Sequence, residues 1–168
     1  MLVSARIAFL QAGPELLALT VNALRTHPQR PRGRPAHTTG ATERALSFEA
    51  TDDSLTEYGP PHLQTLITGR GPASSGATAN DPKLSEILAQ WAEDKGIQLT
   101  GGITYKTFGF LAARKIHREG TELYNESEPS GLLDEVLTPE YLDTLKARIA
   151  AGEMVAITSA LTQVLQRP

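Results

Sequence analysis

Cysteine is absent from this 168-residue chain, which excludes disulfides and thiolate chemistry. We predict that no apolar run in the sequence approaches the length of roughly 20 residues that is needed to span a bilayer. We therefore expect no membrane partner. The apolar N-terminus lacks a charged region followed by an unbroken apolar stretch, so we expect it to belong to the fold and not to a signal peptide. The formal net charge of −3 opposes attraction of the whole molecule to nucleic acid.

The small net charge conceals a segregation of charge along the chain. Residues 25–44 hold five arginines and one acid, Glu43, whereas residues 119–143 hold eight acids and no Lys or Arg. Segments of one sign usually face water. Alternatively, the two segments are complementary surfaces that meet between copies of the chain, as a head-to-tail ring requires.

The pattern of apolar residues predicts an α+β fold in a single domain covering residues 1–168. Apolar and polar residues alternate in Leu46–Ala50 and Leu55–Tyr58, around a turn at Asp52-Asp53-Ser54, which predicts a small antiparallel sheet. About four helices pack against it, since start and stop signals recur along the chain. Predicted helices begin at Gly13-Pro14, Pro60-Pro61, Asp81-Pro82, Ile103 and Thr138-Pro139.

We expect the core to form where two helices pack against the sheet. The residues predicted to build it are Leu84, Leu88, Trp91, Phe108, Ala112 and Ile116 on the helices, with Leu46 and Phe48 on the sheet. Gln29–Thr39 and Arg70–Asn80 have too little apolar content to order themselves. These two segments are therefore predicted to be long mobile loops.

No motif carries a catalytic or cofactor signature. Ile67–Gly76 is rich in glycine, but it lacks the GxxxxGK[ST] spacing and the lysine of a phosphate-binding loop. Ser74 has no positioned base beside it. Four dispersed histidines form no ligating pair on one helix face: His27, His37, His62 and His117. We therefore expect no enzymatic activity, no metal and no cofactor.

Arg30, Arg32 and Arg34 lie on a Pro/Gly loop that is the strongest candidate for contact with nucleic acid. Arginines on an extended loop neutralise phosphates without reading sequence. The loop lacks the aromatic side chains on which bases stack. The alternatives are a solvated loop and a loop that orders on a protein partner.

Several short motifs follow one another in the order seen in a phage family. They are Thr39–Ser47, Tyr58 with Leu66–Pro72, Trp91–Ile97, Ala113–Thr121 and a closing helix. In this order they resemble the neck and tail-completion (head–tail connector) proteins of long-tailed bacteriophages. The resemblance covers roughly residues 39–165.

The resemblance implies a structural virion protein without enzyme activity, which forms a ring, commonly a hexamer, between the head connector and the tail tube. Implied partners are further copies of the chain, the head connector or adaptor, and tail-terminator or tail-tube proteins, with non-specific contact to packaged DNA. Implied localisation is the virion neck, after assembly in the host cytoplasm. A tail-terminator ring protein and a nucleic-acid-binding accessory protein remain the alternatives. Candidate interface or DNA-facing residues are Arg30, Arg32, Arg34, Arg70, Glu122, Glu126 and Glu128.

Overall fold

The computed structural model describes residues 3–28, 35–73, 83–126 and 128–165. It confirms the predicted α+β class, because this part of the chain contains one antiparallel hairpin and eight helices. The elements are α1 (Val3–Thr26), α2 (Ala41–Arg44), β1 (Ser47–Ala50), β2 (Leu55–Tyr58), α3 (Pro61–Thr68), α4 (Leu84–Asp94), α5 (Tyr105–Glu119), α6 (Glu122–Asn125), α7 (Leu132–Val136) and α8 (Pro139–Leu165).

These elements form two compact units, and each unit is built from separate segments of the chain. Unit 1 comprises Met1–His27, Glu43–Pro60 and Leu132–Pro168, whereas unit 2 comprises Pro28–Thr42 and Pro61–Gly131. Unit 1 therefore contains α1, the hairpin, α7 and α8. Unit 2 contains α3, α4, α5 and α6.

The core of unit 1 forms along one face of α1, which contacts α8, α7 and both strands. Small side chains on this face allow close approach of the neighbouring elements. Two polar contacts also join α1 to α8: the Tyr141 hydroxyl donates to the Ala12 carbonyl oxygen at 3.4 Å, and Arg148 Nη1 lies 2.8 Å from Glu15 Oε2. The buried apolar residues of unit 1 are Ala5, Ala8, Phe9, Ala12, Leu16, Ala23, Leu24, Leu132 and Val136.

Helix α1 begins at Val3, eleven residues before Pro14, the predicted first helical residue. Pro14 lies inside the helix, where it cannot donate to the carbonyl of Leu10. Leu10 and Pro14 both lie on the exposed side, where water can bond to that carbonyl. The stripe of buried residues continues across the proline, so tertiary packing overrides the local start signal.

The continuous α1 helix also bears on the expectation about membrane spans. Among the described residues, one helix, Ala5–Thr26, is long and apolar enough to cross a bilayer, with a mean hydropathy of 1.4. The expectation that no apolar run approaches this length is therefore wrong. Its apolar window is 44% buried inside the protein, a property that core helices share.

The predicted hairpin is confirmed, and its strands pair with Ser47 opposite Tyr58 and Ala50 opposite Leu55. The turn is closed by a hydrogen bond from the Thr51 amide to the Ser54 carbonyl at 2.9 Å. The hairpin packs on α1, not on a pair of helices from the middle of the chain as predicted. A Cβ at Gly13 would lie 2.3 Å from the Phe48 ring, so this glycine lets the strand approach the helix.

In unit 2, α4 and α5 pack against each other as a helix pair. They come closest at Gly109, where an added Cβ would lie 2.1 Å from the Ser85 carbonyl oxygen and 2.9 Å from the Ala89 Cβ. Ala92 and Ala113 are buried at the same contact. Small residues therefore set the distance between the two helices.

Trp91 is not the core residue that the spacing predicts, since 38% of it is exposed. Helix α4 directs Ser85, Ala89 and Ala92 toward the close approach at Gly109. Trp91, one position earlier than Ala92, consequently lies at the edge of the helix pair.

The boundaries of the other helices mostly agree with their signals. Gly120, at φ 80°, ends α5, and Thr104 caps its start by accepting a hydrogen bond from the Thr107 amide. The Thr138 side chain accepts from the Tyr141 amide at the start of α8, which continues through Gly152. Helix α4 begins at Leu84 with Lys83 as N-cap, and the predicted Asp81-Pro82 start lies outside the described residues. Parts of both predicted mobile loops, residues 29–34 and 74–80, lie outside them too.

Candidate interaction surfaces

The predicted interface residues divide into two groups in the structure. Arg30, Arg32 and Arg34 lie outside the described residues, so their role stays a prediction. Arg70, Glu122, Glu126 and Glu128 are all described, and all are exposed. The structure brings Arg70 close to the start of the acidic segment, instead of placing it on a separate surface.

Arg70 is held there by its main chain. Its amide donates to Thr121 Oγ1 at 2.8 Å, and the Thr121 amide donates to the Arg70 carbonyl oxygen at 2.8 Å. Gly69 and Gly71 lie against Tyr124, and a Cβ at Gly69 would lie 2.4 Å from the Tyr124 nitrogen. Gly69 also has φ 77°, a conformation that side chains rarely adopt. The glycines therefore allow this segment to run beside α6.

The acidic surface, defined as Glu122 and Glu126, lies on one face of α6, the short helical turn that follows α5. Tyr124 lies on the opposite face, because residues two apart in a helix are about 200° apart around its axis. The Thr121 hydroxyl shapes this turn by accepting a hydrogen bond from the Tyr124 amide. Leu123 faces inward and is buried, whereas Tyr124 is 48% exposed. In the part of the chain that the structure describes, neither carboxylate has an ion-pair partner. An open groove of about 750 Å³ runs beside Tyr124 and Glu128.

A second surface was not recognised in the sequence. The α5 surface, defined as Phe110, Leu111, Arg114 and Lys115, lies on the side of α5 away from its buried residues. Phe110 is 58% exposed and Leu111 is 51% exposed. Residues four apart share a helix face, so each apolar side chain stands one turn before a cation. Burial of Gly109 and Ala113 against α4 forces these four side chains outward.

The cations of the α5 surface have no close acidic partner among the described residues. The next basic residue, Arg118, does: its Nε donates to Glu119 Oε1 at 2.9 Å. This hydrogen bond is the main reason why the pKa of Glu119 is lowered, with a smaller contribution from Lys115. Cations in the last turns of a helix also suit the negative end of its dipole. The apolar residues Phe110 and Leu111 beside these cations are the sequence signal that indicates an interaction surface.

The pairing of the two charged segments between copies stays a prediction, but some of their residues already have partners in the chain itself. Arg25 at the end of α1 already pairs with Glu43, with Nε 3.1 Å from Oε1. His27 Nδ1 lies 2.6 Å from Glu135 Oε1. Both contacts lie within unit 1, so Arg25 and Glu135 already have partners in the chain itself. The opposite charges of these segments are partly matched locally, which sequence spacing alone could not show.

Unit 1 also contains a buried acid, Glu57, which the sequence analysis did not single out. The Thr20 hydroxyl donates to its Oε2 at 2.9 Å, and its buried Oε1 has no hydrogen-bond partner. Burial raises the pKa of Glu57, and the hydrogen bond from Thr20 opposes this shift. Its position was readable from the strand, because Glu57 shares the inward face with Leu55. It anchors the hairpin to α1.

The histidines do not converge on a site. The ring of His62 lies 2.7 Å from the Thr42 hydroxyl, and the carbonyl oxygen of His37 accepts from Lys95. Across the residues described, no group of three or more His, Cys, Asp or Glu side chains is arranged to hold a metal ion.

Comparison of the chain with protein-family models, curated proteins and solved structures gave no significant match of any of the three kinds.

Proposed function

We propose that this chain is a structural virion protein of a tailed bacteriophage, a neck or tail-completion subunit that assembles into a ring joining the head connector to the tail tube. The proposal rests on the order of the sequence motifs from Thr39 to the closing helix. It also rests on the kind of surface that unit 2 presents.

One observation supports an assembly function most directly: unit 2 exposes two surfaces of opposite charge, and one of them, the α5 surface, carries large apolar side chains. A ring of identical subunits needs two different patches on every copy. Aromatic side chains with charges around them are typical of protein–protein interfaces. The α5 surface has this character, and the acidic surface offers it a partner of opposite charge.

The test is to find the protein in particles. Mass spectrometry of purified virions should detect the chain, and cryo-electron microscopy should place it as a ring between head and tail. Deletion of its gene should yield DNA-filled heads and separate, complete tails. Absence from virions, combined with tight, steeply salt-dependent DNA binding, would support the accessory DNA-binding function instead.

A further inference from the structure

We propose that the α5 surface of one copy docks on the acidic surface of the next copy. The pairing rests on the proposed ring, for which it names the interface. It replaces the pairing expected from the sequence, in which residues 25–44 supply the basic side.

Charge complementarity identifies the occupant of the α5 surface. Arg114 and Lys115 present two cations beside Phe110 and Leu111, whereas Glu122 and Glu126 present two carboxylates on one face of α6. Opposite potentials steer association and penalise a wrong register. Both surfaces belong to unit 2, so one unit carries both halves of a head-to-tail contact.

The two surfaces do not satisfy each other within one chain. Gly120 ends α5, and the chain then turns into α6. No ion pair forms between Arg114 or Lys115 and Glu122 or Glu126 in the described residues. The charges therefore remain available to a neighbour.

A second copy suits the α5 surface better than nucleic acid does. The chain has a net charge of −3, which opposes approach to a polyanion. More than half of Phe110 and of Leu111 is exposed, and phosphates cannot cover these apolar side chains.

The experiment uses two charge-reversed forms of the full chain. The first, Arg114→Glu/Lys115→Glu, makes both of its surfaces negative. The second, Glu122→Lys/Glu126→Lys, makes both of its surfaces positive. Each form alone should assemble at least about tenfold more weakly than the parent in native mass spectrometry at low salt, because its like charges meet at every contact.

Mixing the two forms should restore assembly, since every contact in an alternating ring is then between opposite charges. An even-membered ring closes in this way, whereas an odd-membered ring is left with one repulsive contact. The quadruple variant, which exchanges the signs within one chain, should also assemble. Lys83→Glu/Lys146→Glu makes the same change in net charge at exposed sites elsewhere and should assemble like the parent.

Assembly of each reversed form at the parent's strength would overturn the proposal. So would an α5 reversal that leaves assembly intact and abolishes binding to a DNA duplex, which would make α5 a nucleic-acid surface. Failure of the proposed function can be distinguished from failure of the proposed interface. A ring whose assembly depends on these charges but which is absent from virions would contradict the function and support the interface.

Discussion

Units 1 and 2 differ in how they use apolar side chains. Of the twelve buried apolar residues in the described chain, nine lie in unit 1 and three (Ala92, Ala113 and Leu123) lie in unit 2. Both units also leave large apolar side chains exposed. In unit 2 these side chains lie on or beside the helix pair and on the turn after it: Ile87, Trp91, Ile103, Phe110, Leu111 and Tyr124. Unit 1 therefore has the larger buried core, and unit 2 is distinguished by how few buried apolar residues accompany its exposed ones.

Among the described residues, unit 1 exposes nine large apolar side chains and unit 2 exposes six, and three of the nine lie at the end of α8. The first half of this helix contacts α1, but Met154, Val155 and Ile157 further along are all more than half exposed. Isolated exposed apolar residues are ordinary on protein surfaces. Unlike the α5 surface, this part of α8 has no complementary charged surface in the chain to identify its occupant.

The largest expected effect comes from truncating a leucine in the core of unit 1. Leu24→Ala should lower the free energy of unfolding by about 2–5 kcal/mol, because Leu24 is 1% exposed and its loss leaves a cavity. The same truncation on the α5 surface, Leu111→Ala, should cost less than about 0.5 kcal/mol. Urea denaturation followed by circular dichroism measures both.

Fluorescence of the single tryptophan, Trp91, sharpens this comparison because it reports on unit 2. If Leu24→Ala moves the circular dichroism transition but not the fluorescence transition, the two units unfold separately. Equal costs for Leu24→Ala and Leu111→Ala would contradict the difference between the units.

A smaller effect tests the close contact inside unit 2. Replacing glycine by alanine within a helix normally stabilises it by about 0.5–1 kcal/mol. Gly109→Ala should instead destabilise the protein by about 1–3 kcal/mol, because the new methyl group would collide with the backbone at Ser85. Thermal unfolding gives the sign of the change. A stabilised variant would mean that α4 and α5 are not packed at this position.

The smallest effect concerns Glu57 and the pH dependence of unit 1. Burial raises the pKa of Glu57 in the folded state, so the unfolded state releases this proton at lower pH. The contribution of this pKa difference to the stability of the folded state is therefore fully present below the unfolded pKa of about 4.3. This contribution is lost as the pH rises through the folded pKa.

Glu57→Gln, which stays neutral, should therefore be more stable than the parent at pH 7, and this advantage should disappear near pH 4. Urea midpoints at the two pH values measure the difference. Glu86→Gln, which removes a charge at an exposed site on α4, is the control and should show no such trend. If Glu57→Gln were more stable than the parent by the same amount at both pH values, burial of the ionised Glu57 carboxylate would not be the cause of the difference.

Local signals predicted those elements whose boundaries depend on nearby residues. The hairpin from Ser47 to Tyr58, the stop at Gly120 and the start of α8 at Thr138 are confirmed for this reason. The predicted start of α1 was wrong, because packing of α1 in the core of unit 1 keeps the chain helical through Pro14.

The candidate sites were less accessible from the sequence because they depend on what each helix face meets. The spacing in α4 placed Trp91 inside, but the close approach at Gly109 determines which side of α4 is covered. The charge count along the chain indicated a polarity, yet it could not show that Glu43 and Glu135 have partners in their own chain. The acidic residues Glu122 and Glu126 are exposed, and their role as interface residues stays a prediction.

The most direct test of the central claim is hydroxyl-radical footprinting of Phe110 and Leu111 across a range of protein concentrations. We expect oxidation of both side chains to fall together, several-fold, over the concentrations at which the parent assembles. In Glu122→Lys/Glu126→Lys at the same concentrations, both side chains should remain as reactive as in the dilute parent. Undiminished oxidation of Phe110 and Leu111 in the assembled parent would contradict the claim that neighbouring copies cover the α5 surface.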